Sequence, residues 1–201
     1  MKTPNLILDL RNNGGGADFA YEPIVPYLYT NPYQVIGSDL LATDDNIKGW
    51  MALTGTEGLP ANQIASIKKV VKKMEQHKGA LFNFYADQSF SLDSVSTYPK
   101  KVIILMNQNC GSTTEQFLFF AKQSAKVTLM GDRTRGVLDY SNMRSAEFGC
   151  MPYMLYWATT RSRRVDAGQA IDNVGIQPSV TLGNDENWLE RAKRYAEEGS
   201  K

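Results

Sequence analysis

At 201 residues, with 42% apolar and 21% charged side chains, the chain is long enough to bury a sizeable core without disulfide or metal support. Its 22 basic and 21 acidic residues leave a net charge of +1, which excludes a global field for nucleic acid or for an anionic membrane surface. Cys110 and Cys150 make no CxxC or Cys/His cluster, so neither zinc nor a cofactor is expected, and no run approaches the roughly 20 apolar residues of a membrane span.

In chain order, NLILDL at 5–10 is apolar apart from Asp9, the pattern of a strand buried on both faces of a parallel sheet. It runs into RNNGGG at 11–16, whose glycines permit a sharp turn and close approach of the backbone to something bound. A helix is expected from Asp18 towards Leu28, broken by Pro23 and Pro26, and then an extended segment at 33–43. From Ala61 to Gln76, Ile64, Ile67, Val71 and Met74 recur at helical spacing opposite Lys68, Lys69, Lys72 and Lys73, which describes an amphipathic helix with a solvated lysine face. Residues 79–98 are weakly periodic, and about 44–98 reads as a helical and irregular insertion or lid.

Regular alternation resumes with a strand at 101–106, a buried helix from about Ser112 to Ser124 and a strand at 126–130, together a βαβ unit with a right-handed crossover. Further strands are expected near 143–148 and 153–159, and a C-terminal packing helix within 184–201, with Trp188, Ala192 and Tyr195 on one face. The whole is expected to be one core domain. With a buried-type strand opening by Asn5, Met1 is expected to be an artificial start, and an N-terminal part of the natural protein is expected to precede it.

Two loops carry the chemistry. In parallel α/β folds, sites lie outside the carboxyl ends of the strands, and both RNNGGG and NQNCGS, at 107–112, stand at such ends. If the two strands are neighbours, the glycine backbone faces Ser112, giving a hydroxyl to attack and N–H donors where a carbonyl oxygen becomes negative. Thr113 N–H is one candidate donor, and Gly14 or Gly15 N–H the other. The competing reading of Ser112 is a capping box with Glu115. Thr113 with Gln116 offers a second box, and Asn109 another cap, so Ser112 is not needed for that purpose.

LILDLRNNGGG resembles the glycine-loop motif of the C-terminal processing (tail-specific) and tricorn-type serine peptidases, and VIILMNQNCGSTTEQF resembles their nucleophile segment, with the serine three residues before a glutamate. VTLMGDRTRG at 127–136 is similar to the following strand and GxxTxG loop of that family, and DNVGIQPSVTL at 172–182 to its late "GI-P-V" segment. Four motifs in order and register, from about residue 5 to 182, carry the resemblance. It implies an α/β fold with a Clp-protease/crotonase-like core of stacked ββα units and a largely parallel sheet. It also implies a serine-type endopeptidase acting on peptides or unfolded protein through an acyl-enzyme at Ser112, with a bacterial periplasmic or envelope setting favoured.

One departure is specific. The tail-specific branch takes its general base from a lysine directly after the GxxTxG loop, and here that place is Val137. The tricorn branch takes a histidine from a segment upstream of the glycine motif. His77 matches no family position, and Lys122 stands on the Ser112 helix about 15 Å away at 1.5 Å rise per residue. The base is therefore expected from sequence outside this chain. The alternative is a catalytically degenerate module of the same fold that binds peptides without cutting them. Asp139, Tyr140 and Ser141 are candidates to orient a base or bind substrate, against the alternative of a turn. Arg133, Arg135 and Arg144, like Arg161, Arg163 and Arg164, read as solvated loop residues. The sequence leaves open the oligomeric state and whether the two cysteines pair.

Overall fold

The protein is described by a computed structural model covering residues 2–198. In chain order it contains β1 (Asn5–Asp9), α1 (Val25–Leu28), β2 (Tyr33–Val35), β3 (Ser38–Leu41), α2 (Asp44–Ala52), α3 (Ala61–Gln76), β4 (Leu81–Tyr85), β5 (Gln88–Phe90) and β6 (Lys101–Met106). There follow α4 (Thr113–Ala121), β7 (Val127–Gly131), β8 (Tyr140–Ser141), β9 (Arg144–Glu147), β10 (Met154–Trp157), β11 (Thr160–Ser162), β12 (Val180–Thr181) and α5 (Trp188–Glu197). Contacts divide the described residues into two compact units. The first joins the residues up to Val35 with Gln88–Leu138 and those from Ile171 on, and the second joins Ile36–Asp87 with Asp139–Ala170.

The first unit is built on an all-parallel sheet in the order β1-β6-β7-β12, so the expected α/β class with a parallel sheet is observed. Alternation along β6 sends Val102, Ile104 and Met106 to one face, where Phe117, Leu118 and Ala121 of α4 cover them, and Ile103 and Leu105 to the other, against Ala192 and Ala196 of α5. All five of these β6 side chains are fully buried, each stabilising the fold by about 1.5–3 kcal/mol. β1 departs from the expected two-sided burial: Asn5 to Leu8 are only partly covered, because β1 pairs with β6 alone among the described strands. The helix expected from Asp18 is two 3₁₀ turns, Asp18–Ala20 and Glu22–Ile24, followed by α1, since Pro23 and Pro26 each remove an amide donor.

In the second unit a four-stranded sheet, β4-β3-β11-β8, carries α2 and α3. Leu40, Trp50, Val71, Met74 and Phe82 form its core, and the lysine face of α3 is exposed as expected. Residues 79–98, read as irregular, contain β4 and β5. β4 alternates Phe82 and Phe84 inward with Leu81, Asn83 and Tyr85 outward, a period-2 pattern too short and too mixed with polar residues to stand out. β9 and β10 pair as an antiparallel hairpin near the expected positions.

Candidate active site

β6 ends at Met106, and a tight turn of six residues leads into α4. Ser112, the residue before the helix, has φ 53° and ψ −123°, a backbone region that L residues rarely occupy and that costs of the order of 1–3 kcal/mol. An ordinary N-cap sits in the extended region. The Ser112 N–H donates to Glu115 Oε2 at 3.1 Å, one half of the capping box. The reciprocal half has the box arrangement but does not close to a cap hydrogen bond. The backbone of Ser112 thus departs from ordinary N-cap geometry even though the capping-box arrangement with Glu115 is present.

The glycine loop after β1 lies against this turn. A Cβ built on Gly15 would stand 2.8 Å from Ser112 Cβ, 2.9 Å from Gly111 O and 3.2 Å from Thr113 N, so only glycine, here at φ 116°, fits. Asn13 O accepts from Gly111 N–H at 3.2 Å and from Thr114 Oγ1 at 3.0 Å, and Gly16 O accepts from Thr113 Oγ1 at 2.9 Å. The two loops that sequence reading marked therefore meet, with Ser112, Thr113 and Gly15 in one place.

Of the donors expected to surround an oxyanion, Thr113 N–H opens α4, where no intrahelical acceptor exists. Gly15 N–H is already donated to Asn13 Oδ1 at 3.1 Å. A Cβ on Gly14 would meet nothing within 4 Å, so open space surrounds that residue.

Sequence reasoning did not single out the amide side chains that lock these loops. Asn12, at φ 67°, accepts at its Oδ1 from Asn107 Nδ2 at 3.1 Å and from Asn109 Nδ2 at 2.8 Å, while Asn12 N–H donates to Asn107 Oδ1 at 3.1 Å. The available signal was the pairing of two asparagine-rich loops, since Asn tolerates the left-handed region and carries both donor and acceptor. Beside them, a polar cleft of about 430 Å³ is lined by Arg11, Gln108, Asp132, Glu186 and Trp188 among others. Cys110 is buried beneath the turn, donates to Leu10 O at 3.1 Å, and burial raises its thiol pKa. Both cysteines are free thiols.

Glu115 and the loop 132–137 complete the region. Thr134 Oγ1 and Gly136 N–H donate to Glu115 Oε1, and Val137 N–H to Oε2. Val137, half-exposed, lies over the turn before α4: a Cβ on Gly111 would come within 2.9 Å of its Cγ2.

Asp139, Tyr140 and Ser141 belong to the second unit. There Asp139 is fully buried and paired with Arg164 at 3.5 Å, Tyr140 is exposed, and Ser141 Oγ shares a 3.0 Å hydrogen bond with Thr160 Oγ1. Arg164 is thus not the solvated residue expected, because Asp139 compensates its charge. Arg144 is likewise half-buried, its guanidinium 5.1 Å from the Trp50 ring. His77 is exposed in the same unit and stacks on Phe82 at 4.8 Å. No group of three or more potential metal ligands occurs among the described residues, and no described helix is long and apolar enough to cross a membrane.

Comparison with known proteins bears on this geometry. The sequence model of peptidase family S41 matches residues 1–182. Among solved structures, mature CPAF complexed with lactacystin superposes with a TM-score of 0.61 at 16% identity, over 98% of this chain and 43% of that one. A putative peptidase from Parabacteroides merdae ATCC 43184 gives 0.53 at 17% identity, over 94% and 48% of the two chains. The photosystem II D1 C-terminal processing protease gives 0.51 at 17% identity, over 96% and 39%. The chain therefore spans less than half the length of each of these three, whose likeness at such identity is one of fold. No curated protein matches the sequence.

Proposed function

This chain belongs to peptidase family S41, and from that premise we propose that it is the nucleophile-bearing part of a serine endopeptidase of the tail-specific or tricorn type, with Ser112 as the attacking residue. Family membership supports serine peptidase chemistry and implies protein or peptide substrates. The observation that carries the assignment to Ser112 is its strained backbone, held at the start of α4 with Gly15 packed directly against it.

In this reading the Ser112 hydroxyl adds to the scissile carbonyl carbon while a base takes its proton. The developing oxyanion receives Thr113 N–H and Gly14 N–H, and Gly15 N–H joins when Asn13 Oδ1 releases it. Collapse expels the amine, which takes the proton from the base, and water then hydrolyses the Ser112 ester. The base comes from outside this chain. Lys101 and Lys126 of the first unit donate to main-chain carbonyls, Lys193 pairs with Glu190, and Lys100 and Lys122 each lie over an aromatic ring. The unit contains no histidine among its described residues.

Val137 favours a second reading, a module that binds peptides without cutting them, because in the tail-specific branch a lysine stands at that place. Fluorophosphonate labelling followed by peptide mass mapping separates the two. With the base outside this chain, the peptidase reading expects at most slow adduct formation on Ser112, none in Ser112→Ala, and a rate at least about tenfold higher in Val137→Lys, which puts an amine at the place of the tail-specific lysine. Peptide binding by all three forms with no adduct in any would establish the binding module and end the peptidase reading for this chain.

A further inference from the structure

Glu115 lies on the first turn of α4 with no exposed surface. An ionised carboxylate offers about four lone-pair sites, and four donors fill them. Oε1 accepts from Thr134 Oγ1 at 2.5 Å and Gly136 N–H at 2.7 Å, and Oε2 from Val137 N–H at 3.0 Å and Ser112 N–H at 3.1 Å. No acceptor site remains for the Ser112 hydroxyl proton, so Glu115 is not the base. Nor is it a simple cap. A capping glutamate serves the amide of its own N-cap, whereas three of these four donors come from the loop after β7. Thr134 Oγ1 extends the chain of bonds by accepting from Ile176 N–H at 2.8 Å.

We propose that Glu115 is a positioning residue for the chemistry at Ser112: a buried four-donor clamp that holds the nucleophile in its strained backbone conformation and fixes residues 134–137 at a set distance from it. One oxygen, Oε2, bridges the amides of Ser112 and Val137. The residue at 137 is therefore placed over the nucleophile turn by its backbone, whatever its side chain. Three of the family-like segments, around Ser112, Thr134 and Ile176, are joined through this one carboxylate and the threonine hydroxyl bound to it. The proposal rests on the reading of Ser112 as nucleophile only for its functional consequence, not for the clamp itself.

Glu115→Gln keeps the volume but turns an NH₂ towards donors that need an acceptor. Amide hydrogen exchange of this chain should then accelerate by about 100-fold at Ser112, Gly136 and Val137, with Ile103–Leu105 of β6 unchanged. Fluorophosphonate labelling of Ser112 should slow at least about tenfold at saturating probe, with the half-saturating concentration unchanged within about twofold. Thr134→Val, which leaves Oε2 and its two amides in place, should loosen Gly136 about tenfold while sparing Ser112, and it carries the test if the glutamine variant does not fold. Unchanged exchange at these amides would overturn the clamp. A labelling loss matched by Leu129→Ala, destabilised far from the turn, would reduce Glu115 to general stability. If neither the unaltered chain nor Val137→Lys takes label at Ser112, the nucleophile reading fails separately, and exchange alone decides the clamp.

Discussion

Among the described residues each unit buries one carboxylate side chain completely, and the two are held in opposite ways. Asp139 in the second unit faces Arg164, an ion pair at 3.5 Å with both side chains out of water. Glu115 in the first unit faces no cation among its bonded partners but three main-chain amides and a hydroxyl. An ion pair compensates charge and tolerates some freedom in direction, whereas four hydrogen bonds, three of them from main-chain amides, determine where each donor sits. The first arrangement suits a fold that must hold together, the second a turn whose atoms must stand in a given geometry. The donors also differ in being removable. Arg164 can be replaced by mutation, but the amides of Ser112, Gly136 and Val137 cannot, so Glu115 has no apolar substitute.

The largest expected effect separates function from fold. Ser112→Ala should abolish fluorophosphonate labelling, a loss of at least about 10³-fold, while the urea midpoint moves by less than the equivalent of about 0.5 kcal/mol. A midpoint shift of several kcal/mol would make the hydroxyl structural and return Ser112 to the role of a cap. Next in size is Asp139→Ala, which leaves Arg164 buried without its partner and should destabilise the protein by about 3–5 kcal/mol in urea unfolding. The double variant Asp139→Leu with Arg164→Met should recover most of that loss, since well-packed apolar replacements of a buried pair are often neutral. If the double variant is as unstable as the single one, the pair specifies the β8–β11 region by more than charge compensation.

Gly15→Ala sharpens the first unit's side of the comparison. The new methyl meets Ser112 Cβ at 2.8 Å and Gly111 O at 2.9 Å, and φ 116° is strained for any side chain. Destabilisation beyond about 1 kcal/mol is expected, together with slower labelling, because the methyl also stands on the Thr113 amide. Gly14→Ala, where a Cβ meets nothing within 4 Å, is the matched control and should leave stability nearly unchanged. Equal effects at the two positions would contradict the close approach of the loop to the Ser112 turn.

The sequence made the longer elements of both units legible because they have clear periods: the β6 run and the apolar α4 of the parallel layer, and the α3 stripe of the second unit, lie where the spacing puts them. It made the meeting of RNNGGG with Ser112 legible through topology, since adjacent parallel strands must bring their carboxyl-end loops together. It did not disclose Glu115 as a clamp. The residue reads as half of a local capping box, and three of its four partners lie in another loop whose approach depends on tertiary structure. The burial of Arg164 was hidden for the same reason, because its partner Asp139 is distant in the chain and both look like loop charges. β8, β11 and β12 were missed because strands of two or three residues carry no period; their neighbours define them.

The smallest effect concerns a carboxylate that is neither buried nor caged. Asp9, at the end of β1, takes Arg11 Nη2 at 2.6 Å and Arg11 Nε at 2.8 Å, and these hydrogen bonds from Arg11 hold its pKa below the usual aspartate value. A folded-state pKa below the unfolded one means that the pair stabilises the protein fully above about pH 4 and loses that contribution as pH falls through the lowered value. Both side chains are more than a third open to water, so solvent screening limits the effect to less than about 1 kcal/mol. Asp9→Asn should therefore lower stability slightly at neutral pH, with the difference from the unaltered protein closing as pH falls through the lowered Asp9 pKa and shrinking in high salt. A difference that persists in acid would mean that Arg11, whose guanidinium also lies 5.8 Å from the Trp188 ring, orders the glycine loop through packing rather than through charge.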